Sequence, residues 1–160
     1  MNQPRTSTGM SLIVKTACGW LKGFILLYGI HIILYGHLTP GGGFAGGVIA
    51  GCAFVLIVLA EGEKEGLRSF SRTAASTWDS LGVLVFLTMA GLGLVLAGTF
   101  FVNFWTTVES AQFTLFSSGI IPVCNIGIGV KVCSSLYLVF VVLTSVYLAS
   151  MPGKSEEDAS

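Results

Sequence analysis

Four ionisable side chains stand in or beside stretches that otherwise carry no charge: Lys22, His31, His37 and Lys131. Residues 23–60, 80–107 and 132–153 contain no Lys, Arg, Asp or Glu. The chemistry within reach of these four is the holding or passing of protons and cations in an apolar setting. A charge at mid-bilayer costs about 3 kcal/mol on insertion scales, so each one needs a reason. Lys15 and Lys22 are seven residues apart on one helical face, near an end where both can snorkel. His31 lies deeper; it is either a neutral ring bonded to a neighbouring helix or a candidate for an ion path. Lys131 opens an uncharged run of more than twenty residues. It either snorkels to the outer surface or faces a wet cavity or a partner's carboxylate. Glu61 and Asp79 read as helix-end charges, with Asp79 and Ser80 as an N-cap.

A second chemistry is raised by the stretch GHLTPGGGFAGGVIAG at residues 36–51. Gly41, Gly43 and Gly46 match G-x-G-x-x-G, the spacing of a dinucleotide loop. Such a loop needs a strand before it, a helix after it and an acid further on for the ribose. Here the preceding run, FILLYGIHIILYG, is an apolar helix, and no Gly-Lys-Ser or Gly-Lys-Thr is present for a P-loop. Pro40, Gly41, Gly42 and Gly43 instead suit a tight turn at a membrane surface, with Phe44 and Gly46 following. Gly43, Gly47 and Gly51 then recur every four residues, which places them on one face where another helix can approach closely. The loop is also a candidate lining for an ion path. Cys18, Cys52, Cys124 and Cys133 show neither C-x-x-C spacing nor histidines at metal-ligand spacing, and read as small buried apolar residues. No metal or cofactor is expected, and no nucleophile–base constellation argues for bond-making catalysis in this chain.

The elements that must carry these residues follow from composition. Of 160 residues 53% are hydrophobic and 10% charged, and mean hydropathy is +0.84. Soluble domains carry about 25% charge, so an integral membrane protein is the class. Zero net charge leaves no footprint for nucleic acid. Crossing the hydrocarbon takes about 20 apolar residues, which predicts four helices, near residues 18–36, 44–60, 81–102 and 132–151. The apolar runs do not alternate with polar residues, against a barrel. The first run is interrupted by Lys15 and Lys22 with no small-residue cleavage site after it, so the first helix is expected in the mature protein. Arg5, Lys15 and Lys22 lie on the N-terminal side of the first span, and Lys64, Arg68 and Arg72 between the second and third; the connection between the first two spans and residues 103–122 hold no Lys or Arg. That asymmetry puts both termini in the cytoplasm. A single transmembrane domain over residues 1–151 is expected, with a disordered cytoplasmic tail at 152–160.

The segment SSGIIPVCNIGIGVKV, residues 117–132, is nearly apolar yet holds Pro122, Asn125, Gly127 and Gly129. Proline and paired glycines disfavour a regular helix, so the expectation is a broken, re-entrant or interfacial segment leading into the last span. Such backbone persists at membrane depth only when protein or a wet cavity covers it. The segment therefore predicts neighbouring subunits.

Together these motifs resemble the MnhB/MrpB family, a small component of the Mrp-type (Mnh) multisubunit sodium/proton antiporters. The 36–51 stretch resembles that family's Gly-His-x-x-Pro-Gly-Gly-Gly-Phe-x-Gly-Gly junction between its first two helices. LIVKT at 12–16, WDSLGVLVFLTMAGLG at 78–93 and SGIIPVCNIGIGVKV at 118–132 are similar to its first-helix start, third-helix start and Pro–Asn–Gly–Lys segment. The resemblance runs from about residue 12 to 149, with small departures at variable loop positions; residues 62–77 and the cysteines are not signature features. It implies a small subunit of a hetero-oligomeric complex in a prokaryotic cell membrane, exchanging Na⁺ for H⁺, beside other membrane subunits. As an alternative it implies a redox-driven relative of the membrane-bound hydrogenase type. A purely structural scaffold is the other class of role, and His31, His37 and Lys131 discriminate the two.

Overall fold

A computed structural model describes residues 11–38, 40–62, 66–68, 70–104 and 118–150, with the side chains of Leu148 and Ala149 left aside. The protein is all-α, and no strand occurs among the described residues. Helix α1 runs Leu12–Leu34, α2 Gly42–Glu61, α3 Arg72–Ala97 and α4 Ile121–Ser150. At 1.5 Å per residue these measure ~35, ~30, ~39 and ~45 Å, each at least the hydrocarbon thickness of a bilayer. Among the described residues, four helices are therefore long and apolar enough to span a membrane. Their outward faces are apolar, with Phe24, Leu27, Leu84, Leu87 and Leu143 all exposed. The tail expected at 152–160 lies outside the described residues.

The helices begin where local chemistry caps them. Ser11 accepts a hydrogen bond from the Val14 amide at the start of α1, and Ser71 accepts one from the Ala74 amide, 3.2 Å, at the start of α3. Helix α3 therefore starts nine residues before the apolar run at Leu81, and the N-cap is Ser71 rather than Asp79. Asp79 sits inside the helix. At the other end Gly98 adopts the left-handed conformation, φ 71°, that closes α3.

The break before the last helix lies earlier than the sequence predicts. The chain turns at residues 118–120, where Gly119 has φ 65°. Asn103 staples that turn: its Nδ2 donates to the Ser118 carbonyl at 2.9 Å and its Oδ1 accepts from the Ile120 amide at 3.1 Å. From Ile121 the helix is continuous through Pro122, Asn125, Gly127 and Gly129. Pro122 is tolerated because first-turn amides have no intrahelical acceptor to lose. The glycines are tolerated because neighbours occupy the space their side chains would need, the Gly82 carbonyl beside Gly127 and the Ile33 side chain beside Gly129. Over residues 121–131 the expected re-entrant segment is thus corrected to the first three turns of α4.

Helix α1 packs on α2, α2 on α4, and α4 on α3, with a thinner seam between α1 and α4. Helix α4 is the centre of the bundle. Its Tyr137 and Val141 are fully buried with Val58 and Ala75, and Phe54 and Phe70 pack against them. The Tyr137 hydroxyl lies 2.7 Å from the Phe70 carbonyl and 3.1 Å from that of Gly66, which ties the connection before α3 to α4.

Candidate functional site

The glycine stretch builds a junction. Gly41 and Gly42 take φ of 113° and 57°, a turn that side chains rarely permit, and α2 starts at once. The three-residue face expected at Gly43, Gly47 and Gly51 exists, and its partner is α4. A Cβ on Gly47 would lie 2.6 Å from the Gly129 carbonyl oxygen, and one on Gly51 3.1 Å from Leu136. Gly43 seats against the backbone of Asn125, whose Oδ1 accepts from the Gly43 amide at 3.4 Å. Gly46 lies on a second face, turned to α1 at Gly29 and Ile33. Small residues on two sides let α2 take a close helix on each. Pro40 is exposed in the turn, and Phe44 is exposed on the outer side of α2.

Helices α3 and α4 approach equally closely where Gly82 meets the Gly127 carbonyl and the Lys131 side chain. This contact sets the register of the charged site. In an antiparallel pair, three residues before Gly82 is level with four after Gly127. Those positions are Asp79 and Lys131. The Lys131 ammonium donates to Asp79 Oδ1 at 2.7 Å and to Ser135 Oγ at 3.0 Å, and the Ser135 hydroxyl itself hydrogen-bonds to Asp79 Oδ1. The three groups form a closed, formally neutral cluster. Lys131 lies between Gly129 and Cys133, which meet α2 at Gly47 and Gly51. The cluster is therefore within about a turn of the midpoint of α2, the span whose ~30 Å matches the hydrocarbon. Neither snorkelling to the surface nor a helix-end role for Asp79 describes it.

The cluster is only partly covered by its own chain. The Lys131 and Asp79 side chains are 38% and 25% exposed. Lys131 and Ser135 face a groove of about 470 Å³, with Phe44 and Val48 of α2 on its wall and Val132, Leu136 and Val139 along α4. A smaller pocket of about 170 Å³ touches Lys131 from the side of Val83 and Phe86. An ion pair at this depth, open on one side, is arranged for a partner or for water, since lipid tails solvate neither charge.

The remaining predicted residues are not gathered here. The Lys22 ammonium reaches Glu61 at 3.4 Å and joins α1 to the end of α2. His31 is exposed on α1 with its ring 4.9 Å from that of Tyr35, and His37 is half-buried in the turn before α2. All four cysteines are free thiols, but only Cys124 is buried as expected; Cys18 and Cys133 are half-buried, and Cys52 is exposed on the outer side of α2. No group of His, Cys, Asp and Glu fit for a metal occurs among the described residues. Sequence reasoning missed Ser135 and the role of Asp79. The mirrored spacing of Asp79 and Lys131 about Gly82 and Gly127 was the available signal.

A family model described as a domain related to the MnhB subunit of Na⁺/H⁺ antiporters matches residues 13–138. The chain belongs to the MnhB family. The matched range includes the glycine junction and the whole Asp79–Lys131–Ser135 cluster. An uncharacterised protein of Methanocaldococcus jannaschii is 34% identical over 128 residues, 78% of this chain and 48% of the relative. A putative MnhB2 antiporter component of Staphylococcus aureus is 36% identical over 58 residues, 36% of this chain and 41% of the relative. The corresponding Na⁺/H⁺ antiporter component of Bacillus subtilis is 37% identical over 97 residues, 61% of this chain and 57% of the relative. Among solved structures, a chain of the membrane-bound sulfane sulfur reductase, an archaeal respiratory membrane complex, superposes with a TM-score of 0.69 at 31% identity. It matches 86% of this MnhB-family chain and 60% of its own length. The chain thus spans about half the length of the curated relatives it matches.

Proposed function

We infer that this MnhB-family protein is a small membrane subunit of a multisubunit Na⁺/H⁺ antiporter complex, and that its Lys131–Asp79 pair borders part of the cation or proton path. The observation that carries the reading is the half-open ion pair between α3 and α4, level with the middle of α2. A fixed ammonium held by a carboxylate and a hydroxyl has two useful responses. An arriving cation competes with Lys131 for Asp79, or the proton shared across the cluster moves and leaves both groups neutral. Either response changes the local potential without making or breaking a bond in a substrate, so the chain acts as a transport subunit and not as an enzyme. The relatives named as antiporter components support the complex, and the positive-inside asymmetry of Arg5, Lys15, Lys22, Lys64, Arg68 and Arg72 supports cytoplasmic termini in a prokaryotic cell membrane.

A second reading is favoured by the structural neighbour, which is part of a respiratory membrane complex. There the same kind of chain sits in a redox-driven assembly, and electron transfer rather than an ion gradient supplies the free energy. Purification of the tagged chain from native membranes in mild detergent, with its neighbours identified by mass spectrometry, separates the two. Antiporter-like membrane subunits alone support the first reading. A redox subunit carrying metal centres overturns it in favour of the second. Recovery of the chain alone, at full membrane abundance, contradicts both.

A further inference from the structure

Helices α2 and α3 flank α4 but share no substantial contact with each other. They leave a trough open along α4. Phe44 and Val48 of α2 form one wall, and Val132, Ser135, Leu136 and Val139 of α4 form the floor. At the far edge Lys131 reaches across to Asp79 of α3. Gly46 faces α1, and Phe44 and Val48 are each two residues from it, ~200° around the helix. The trough therefore lies on the opposite side of α2 from α1, and no helix of this chain fills it.

The bonding left open in the trough decides its occupant. A lysine ammonium has three N–H donors. Asp79 Oδ1 and Ser135 Oγ take two of them, at 2.7 and 3.0 Å, and among the described residues nothing takes the third. The Ser135 hydroxyl is itself engaged with both Lys131 and Asp79. Acyl chains offer no acceptor to an ammonium level with the middle of α2. Water is held where roughly two to four polar groups surround it, whereas five of the seven lining residues here are apolar. A protein surface that is apolar except for one acceptor meets both conditions. Charge selects the acceptor. Lys131 and Asp79 already cancel, so a carboxylate would leave a net negative charge in a dry seam, and a neutral oxygen keeps the balance at zero.

We propose that this trough seats a transmembrane helix of a partner subunit. That helix meets Phe44, Val48, Leu136 and Val139 with an apolar face. It sets one neutral hydrogen-bond acceptor, an amide or hydroxyl oxygen, against the Lys131 ammonium. The seat presupposes the multisubunit complex inferred above, and adds which face of this chain the neighbour covers and what the neighbour's face carries. It does not depend on which ion or reaction the complex couples.

The test is photo-crosslinking of the intact complex in native membranes. Benzoylphenylalanine replaces Phe44 or Val139, which are 64% and 60% exposed, so the probe adds bulk outside the bundle. After irradiation the complex is purified and the linked peptides are identified by mass spectrometry. The expected result is that both positions link to one transmembrane segment of one partner subunit. That segment should carry Asn, Gln, Ser or Thr level with Lys131, and no acid there. Replacing that polar residue by leucine should cut both adducts several-fold, because apolar contact alone does not favour a helix over lipid. An unchanged yield, or an Asp or Glu in its place, would overturn the neutral acceptor. Lipid adducts alone, in complexes that retain their other subunits, would overturn the seat and leave the multisubunit reading standing. A chain that purifies with no other subunit would overturn that reading, and the seat with it.

Discussion

Replacing Gly47 by alanine tests the packing that holds the charged cluster in place. The added Cβ would lie 2.6 Å from the Gly129 carbonyl oxygen and 3.0 Å from both Gly129 Cα and Val132 Cβ. Ordinary contact begins near 3.4 Å, so the α2–α4 seam must open by about 0.8 Å. A radial gap of that size forfeits a quarter to a half of each dispersion contact it touches, and overpacking of this kind costs roughly 1–3 kcal/mol. Alanine returns at most about 1 kcal/mol of helix propensity. The expected net loss is roughly 1–2 kcal/mol, or about 5- to 30-fold in the folded fraction. Gly23→Ala is the control, since nothing lies within 4 Å of a Cβ there; it should be neutral or slightly stabilising. The assay is the temperature at which the subunit is lost from the purified complex on native gels. Gly47→Ala should lower it, Gly47→Leu should exclude the subunit altogether, and Gly23→Ala should leave it unmoved. Equal behaviour of Gly47→Ala and Gly23→Ala would refute the close-packed seam.

Three further outcomes follow from local structure. Ser71→Ala removes the side-chain acceptor at the start of α3 and should destabilise the bundle by about 1 kcal/mol, with Ser71→Asp restoring it, both read from the same native-gel midpoint. Tyr137→Phe removes the hydroxyl that bonds to the Phe70 and Gly66 carbonyls, a loss of about 1–2 kcal/mol. It should speed tryptic cleavage at the exposed Arg68 in sealed inverted vesicles, and an unchanged rate would mean the hydroxyl does not hold that connection. Reporter fusions at Ser155 and at Arg68 should both signal cytoplasm; a periplasmic signal at either would reverse the orientation read from the basic residues.

The number of helices is legible in the sequence because the charge-free runs 23–60, 80–107 and 132–153 have room for four spans, the first run being divided by its Pro-Gly turn. Their ends are less legible, for reasons visible at particular residues. Charge ordinarily marks the limit of a span, but Asp79 lies inside α3, neutralised by Lys131, and the helix extends back to its cap at Ser71. Intrinsic preference makes Pro122, Gly127 and Gly129 a break. Tertiary contact decides otherwise, because these glycines sit where α2 and α3 come closest to α4. The face at Gly43, Gly47 and Gly51 is legible from its period of four, whereas the second face at Gly46 needs the fold to show that α1 occupies it. Lys131 stands out because it heads an uncharged run. Its partners are 52 positions before it and four after it, and only the antiparallel register of α3 and α4 brings the distant one alongside.

The central claim is that the Lys131–Asp79 pair works in ion movement and is not a passive anchor. Its most direct measurement is Na⁺-driven or redox-driven proton movement in inverted vesicles carrying Lys131→Ala, Lys131→Arg or the paired Lys131→Ala/Asp79→Asn change, with subunit content matched by blotting. Lys131→Ala should lower transport severely at normal complex content. Lys131→Arg should keep part of it, since the charge remains while the geometry of the contact changes. The paired change should assemble as well as the wild type, because no charge is left unpartnered, yet fail to transport. Full transport in Lys131→Ala at normal content would contradict the claim and leave the subunit as a scaffold whose glycine faces are its whole contribution.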